Sequence, residues 1–283
     1  MPSANLLGQS LLSGILAGGL YALLGLGLSL SWRFLRIINL SHFGFIFLGA
    51  YLTYQVATSF HLSPFAVMLA IVPLLFALGV AQQALFVRFA VNEFGSLLVT
   101  FGMVAIIESL IQYFWTADFR RLESGYGTLS YRIGPLFLPV AEALTFLVAV
   151  VLGLAAWAAL RFTYLGKAMR ASAEDPAMAA AFGVRERSLA LLVAGTSAAT
   201  AGIAGTFVAL TATLAPAQIY AWIGVIFAVV IMGGLGNPLG ILAAGLLIGV
   251  SEALTMALTS PSWAPLVSFT LLIAVLILRP GRV

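Results

Sequence analysis

Three groups of polar side chains interrupt long apolar runs, and they are where chemistry would have to reside. In RFLRIINLSHFGFIFLGAY, residues 33–51, Asn39, Ser41 and His42 come together just ahead of Phe43, Phe45 and Phe47. A straight lipid-facing helix has no use for three adjacent polar groups. The cluster therefore predicts a discontinuous helix or a helix start inside a bundle, since irregular backbone at membrane depth is tolerated where it lines a cavity. The plainer alternative is an N-cap made by Asn39 or Ser41 at the membrane interface. Glu108 and Gln112 are the second group, four residues apart and so on one helical face. A carboxylate within a span is costly, which marks a functional position or an inward, hydrogen-bonded structural one. Glu252 raises the same question in another apolar run, and Glu142 reads as interfacial. The third group is RFTYLGKAMRASAEDPAMAAAFGVRERS, residues 161–188, which concentrates basic side chains in a chain with only 13 of them.

Several chemistries are missing. The single lysine, Lys167, follows Gly166 but precedes Ala168, so there is no GxxxxGK[ST] phosphate cradle and no ATP hydrolysis is expected of this chain. His42 and His61 stand far apart without an HExxH or paired-carboxylate pattern, and Cys is absent, so no metal site and no catalytic residue is expected.

The elements that position these groups follow from composition. The chain is 62% hydrophobic and 8% charged, against about 25% charged in soluble domains. Its mean hydropathy is +1.12. Apolar runs fall at about 8–31, 41–59, 64–87, 96–115, 141–160, 189–213, 219–235, 239–258 and 264–278. A hydrocarbon core of roughly 30 Å needs about 20 apolar residues per helix, and only helices or closed barrels satisfy their backbone in lipid. The expected fold is an all-α polytopic membrane protein, a bundle of about 8–10 transmembrane helices forming a single domain over residues 1–283. The opening residues lack the basic n-region of a signal peptide, so the first run is expected to remain as a span.

A net charge of +4 records topology here, not nucleic-acid binding. With 161–188 in the cytoplasm, Arg33, Arg36, Arg88, Arg161, Lys167, Arg170, Arg185, Arg187, Arg279 and Arg282 fall inside, and Arg120, Arg121 and Arg132 outside. This places the N-terminus outside and the C-terminus in the cytoplasm. Residues 116–140 become the largest external segment, an ordered cap or hairpin suited to an extracytoplasmic partner. The pairs Gly14 with Gly18, Gly236 with Gly240 and Gly245 with Gly249 predict close helix approach. MGGLGNPLG, residues 232–240, predicts a tight turn beside the 161–188 segment.

The 161–188 segment reads as two short helices. Gly166–Ala173 is Ala-rich with basic residues on one face, Asp175 can cap, Pro176 suits a first helical position and Gly183 can end the second helix. A helical hairpin of mixed charge is a docking element.

At these residues the chain resembles the permease subunits of the branched-chain amino acid ABC importer family. GKAMRASAEDPAMAAAFGV is similar to that family's cytoplasmic coupling motif, with Gly166, Ala168, Arg170, Ala171, Ala173, Asp175, Ala179 and Gly183 in matching places. LRIINLSHFGFIFLGAY and MGGLGNPLGILAAGLLIGVSEAL resemble two further family segments, in the right order. The resemblance implies a multi-pass subunit of a bacterial-type plasma (inner) membrane that binds no cofactor itself. Its partners would be a homologous second permease, two cytoplasmic ATPase subunits carrying ATP and Mg²⁺, and an extracytoplasmic solute-binding protein. Gly166, Lys167, Arg170, Ala171, Glu174, Asp175 and Gly183 would couple to the ATPases, and Asn39, Ser41, His42, Phe43, Phe45, Phe47, Glu108 and Gln112 would line the substrate path. Where the family commonly has His-Gly-Glu, this chain has His42-Phe43-Gly44. That departure directs the cargo expectation from a branched-chain or hydrophobic amino acid toward a related carboxylate or amide, including an aromatic one. An ion-coupled secondary transporter or channel using Glu108 or Glu252 is the alternative.

Overall fold

The structure, a computed structural model, describes residues 4–278; Arg279 and Arg282 lie outside the described residues. The chain forms α1 (Ala4–Leu35), α2 (Ser41–Phe60), α3 (Pro64–Arg88), α4 (Glu93–Trp115), a short α5 (Gly125–Thr128) and a hairpin of β1 (Ser130–Ile133) and β2 (Leu136–Pro139). Then come α6 (Val140–Phe162), α7 (Tyr164–Glu174), α8 (Pro176–Ala181), α9 (Glu186–Thr211), α10 (Gln218–Gly233), α11 (Pro238–Leu258), a 3-10 turn (Pro261–Trp263) and α12 (Ala264–Leu278). Among the described residues, seven helices are long and apolar enough to cross a membrane: α1, α2, α3, α4, α6, α9 and α11. The shorter apolar helices α10 and α12 account for the other two of the nine apolar runs, the seventh and the ninth.

The helix starts are set by local chemistry. Ser63, Asn92 and Asn237 accept hydrogen bonds from the backbone N–H of Ala66, Gly95 and Gly240, at 3.3, 2.7 and 3.2 Å. Pro64 and Pro238 occupy first-turn positions whose N–H would have no partner in any case.

The core is built around α1, α2 and α9, with α11 packed on α1 and α3 on α9. Small residues make this possible. A Cβ at Gly14 would lie 2.7 Å from the Val250 Cα, and one at Gly18 would lie 2.7 Å from the Leu246 Cα. The Gly14/Gly18 pair thus packs on Gly245/Gly249, and backbone-to-backbone contact supplies the dispersion that substitutes for a hydrophobic drive in lipid. At the 232–240 turn, Gly234 and Gly236 take φ of +85° and +73°. At this turn Gly236 meets Ser29 and Arg33 at the end of α1.

Helices α7 and α8 lie at the end of the bundle where α1 stops and α9 starts. At the opposite end, the β-hairpin turns at Gly134 (φ +61°) and is clamped by Gln9, whose side chain exchanges two hydrogen bonds of 2.9 Å with the Phe137 backbone. Arg120 and Leu214 exchange backbone hydrogen bonds of 2.9 and 2.7 Å, tying the segment after α4 to the α9–α10 link.

Candidate translocation and coupling sites

Between α1 and α2 the chain leaves the helix for residues 36–40, with Arg36 at φ +54°. Neither Asn39 nor Ser41 caps α2: the capping position is Leu40, without a side-chain bond. Their polar groups turn inward instead. The Asn39 Oδ1 accepts from the Gln82 Nε2 at 3.1 Å and lies 2.5 Å from the Ser41 Oγ. That hydroxyl is also 2.9 Å from the Gln82 Oε1, so its single proton serves one acceptor at a time. Thr100 of α4 accepts from the Leu40 N–H at 3.1 Å and lies 3.2 Å from the Ile38 carbonyl. The break is therefore stitched to both α3 and α4, which is how irregular backbone survives inside a bundle.

His42 faces elsewhere. It is buried, with Nε2 3.1 Å from the Leu24 carbonyl, an acceptor, so this nitrogen is the one that donates. The Ser197 Oγ lies 3.5 Å from Nδ1 and gives its proton to the Gly27 carbonyl at 2.8 Å. His42 pins α2 to α1 and α9. Phe43, Phe45 and Phe47 are also buried, and Phe43 stacks on Phe227 at 6.2 Å. All three rings belong to the buried core.

Glu108 and Gln112 occupy the outer flank of α4. The Glu108 carboxylate accepts from the Gln112 Nε2 at 3.1 Å and from the Tyr220 hydroxyl of α10 at 2.8 Å. Around it the surface is open: Tyr113 and Phe114 are exposed and Gln112 has little cover. A carboxylate on such a face at membrane depth calls for protein or water opposite it, not lipid. Thr100 and Glu108 are eight residues apart, about 12 Å along α4. The structure thus gathers Asn39 and Ser41, and separately Glu108 and Gln112, without merging the two groups. Gly44, which stands where the resembled family has a carboxylate, abuts α4; a Cβ there would come within 2.8 Å of the Ile107 Cδ1.

Glu252 is inward and hydrogen-bonded: the Tyr21 hydroxyl donates to it at 2.7 Å and Ser268 of α12 donates to its other oxygen. Glu252, Tyr21 and Glu142 together border a cavity of about 310 Å³ between α1, α6 and α11.

In the 161–188 segment, Thr163 accepts from the Gly166 N–H at 3.1 Å and starts α7, while Asp175 accepts from the Met178 N–H at 3.0 Å and starts α8. Gly183 closes α8 at φ +88°. Gly166 lies against the end of α6, where a Cβ would collide with Ala159 and Leu160. Lys167, Arg170, Ala171 and Glu174 are all exposed and share one face by their three- and four-residue spacing. Tyr164 and Phe182 are more than four-fifths exposed, at 89% and 82%. The Arg36 guanidinium donates to the Ala173 carbonyl at 3.0 Å, linking α7 to the break before α2.

Sequence reasoning missed Gln82, Tyr220, Tyr21 and Ser268. The adjacent amides Gln82 and Gln83 in an otherwise apolar span were a readable signal; the other three are ordinary in type and gain meaning only from their partners.

The family model described as the permease component of the branched-chain amino acid transport system matches residues 10–276. The chain belongs to that family. The permease is 24% identical to the high-affinity branched-chain amino acid transport system permease protein LivH of Salmonella typhimurium, over 96% of this chain and 93% of that one. The permease protein BraD of Pseudomonas aeruginosa is also 24% identical, over 96% and 94% of the two chains. A probable LivH of Methanocaldococcus jannaschii is 26% identical over 94% and 89%. No solved structure matches the permease significantly. It is a multi-pass, all-α membrane protein of the ABC transporter permease type.

Proposed function

We propose that this permease is the membrane subunit of an ATP-driven importer, and that α7 and α8 are its joint with cytoplasmic ATPase subunits. The observation that carries the reading is the capped hairpin itself. Two short helices, each started by its own side-chain cap, present Lys167, Arg170, Ala171 and Glu174 on one open face beside exposed Tyr164 and Phe182. A loop that only connected α6 to α9 would need neither the caps nor the exposed aromatic rings. ATP and Mg²⁺ reside on the partner subunits, whose closure on nucleotide shifts the hairpin and biases the permease between its two access states.

A homologous second permease covers the flank that carries Glu108, Gln112 and Tyr220, and the solute passes between the two. Asn39, Ser41 and His42 hold the inner wall, with Phe43, Phe45 and Phe47 behind it. The cargo, handed over by an extracytoplasmic binding protein, is a small organic solute: a branched-chain or hydrophobic amino acid, or a related carboxylate or amide. With Gly44 in place of a carboxylate, Glu108 supplies the acid on this flank for an ammonium or amide group.

Co-purification from the native host tests the reading. Lys167→Glu with Arg170→Glu reverses the exposed face without touching a cap, and Asp175→Arg with Gly183→Pro removes the cap and the left-handed turn. ATPase subunits are expected with the parent and absent from both double variants. Retention of the ATPases by both, or their absence from the parent in conditions that preserve complexes, would sink the proposal.

A further inference from the structure

We infer that a cavity behind the α7–α8 turn is a second solute site, built for a small amphipathic carboxylate and separate from the Glu108 flank. The cavity measures about 300 Å³ and lies between the ends of α1 and α3, the start of α9, and Ser172 and Pro176 of the hairpin. Polar side chains without a hydrogen-bond partner border it. Gln83 is only 7% exposed, and its amide has no hydrogen-bond partner among the described residues. The Ser172 hydroxyl is buried and unpartnered. Helix α9 begins at the cavity with no side-chain cap, leaving its first N–H groups open. Arg187 borders it without an ion pair among the described residues, and Arg36 gives one N–H to Ala173 and keeps others free. Gln83 and Ser172 thus leave hydrogen-bonding capacity unused at the edge of this space, which a polar occupant would take up.

The rest of the wall narrows the class. Phe34, Val87, Leu189 and Val193 make one side apolar, and Glu186 stands beside Arg187. Guanidinium, amide and open helix N–H groups suit a carboxylate. The apolar side suits a short hydrocarbon chain, and Glu186 offers a place for an ammonium. A volume near 300 Å³ is at the small end of small-molecule sites, too small for a two-chain lipid.

Because Ser172 and Pro176 form one wall, an occupant braces the hairpin against α1, α3 and α9. That consequence for transport rests on the importer reading; the binding claim does not. If the hairpin is the ATPase joint, solute accumulating at this end of the bundle slows the cycle that delivers it.

The test uses the full-length permease in nanodiscs of zwitterionic lipid, with leucine and 4-methylpentanoate as probes and titration calorimetry as the readout. Inorganic phosphate, and nanodiscs containing phosphatidylglycerol, are the comparison arms. Saturable binding is expected, weakened at least tenfold by Arg187→Gln on the exposed rim and by Gln83→Leu. Thermal unfolding of each variant establishes that it is folded, and Arg187→Gln alone suffices should Gln83→Leu fail to fold. No binding by either probe, or binding indifferent to Arg187→Gln, overturns the inference. So does an Arg187-dependent response to phosphate or phosphatidylglycerol alone, which would assign the cavity to a phosphate group.

Discussion

Replacing Gly18 by Ala tests whether the α1–α11 seam holds the bundle together. The added methyl would sit 2.6 Å from the Gly245 carbonyl oxygen and 2.7 Å from the Leu246 Cα, where ordinary contact begins near 3.4 Å. Both obstacles are backbone, so no rotamer change relieves them, and α11 must retreat by about 0.7 Å. A gap of that size forfeits a quarter to a half of each dispersion contact along the seam, and overpacking of this kind costs about 1–3 kcal/mol. Glycine to alanine also favours the helix by up to about 1 kcal/mol, which would mask part of the loss. Gly102→Ala on α4 is the control: it gains the same helical preference, and its Cβ would meet nothing within 4 Å. The difference between the two variants isolates the steric cost, expected at about 1–3 kcal/mol in favour of Gly102→Ala. Reversible unfolding in mixed micelles titrated with dodecyl sulfate, followed by tryptophan fluorescence, measures it. Equal midpoints for the two would refute the claim that α1 and α11 meet backbone to backbone.

The buried network at the α1–α2 break predicts that Gln82→Leu, which strands the Asn39 and Ser41 polar groups, lowers stability by about 1–3 kcal/mol in the same titration. Tyr21→Phe and Ser268→Ala each remove one donor from Glu252 and are expected to cost about 1 kcal/mol or more. Because they share one carboxylate, the double variant should depart from additivity by at least about 0.5 kcal/mol. Glu108→Gln and Tyr220→Phe leave the packed core untouched. Solute uptake by vesicles containing the complete transporter should fall about tenfold or more for Glu108→Gln, equivalent to about 1.4 kcal/mol, with midpoints unchanged.

Element by element, the apolar runs announced their helices because lipid permits little else: each of the nine runs coincides with one of α1–α4, α6 and α9–α12. The hairpin of 161–188 was legible for a different reason, since Asp175, Pro176 and Gly183 are local signals that act on their own neighbours in sequence. Gly14, Gly18, Gly245 and Gly249 announced close packing but not that they pack on one another, because pairing between α1 and α11 is a tertiary fact. The polar clusters were the least legible. Asn39 and Ser41 looked like cap residues, and what redirects them is Gln82, more than 40 residues away in sequence. Glu108 was visible as an anomaly, yet its partner Tyr220 comes from another helix and its openness from the sparse packing around α4.

The brevity of α10 bears on how the protein is made. Its 16 residues span about 24 Å, less than the roughly 30 Å of hydrocarbon. The non-helical stretch before it is buried at Leu214, Ala215 and Pro216. Such a segment is a poor substrate for direct partition from the translocon, because its bare backbone finds no partner among lipid tails. Leu214 finds one in Arg120, whose backbone supplies both a donor and an acceptor and which leaves the ribosome well before α10 does. The segment behind the first four helices thus supplies the backbone partners that the buried link before α10 needs.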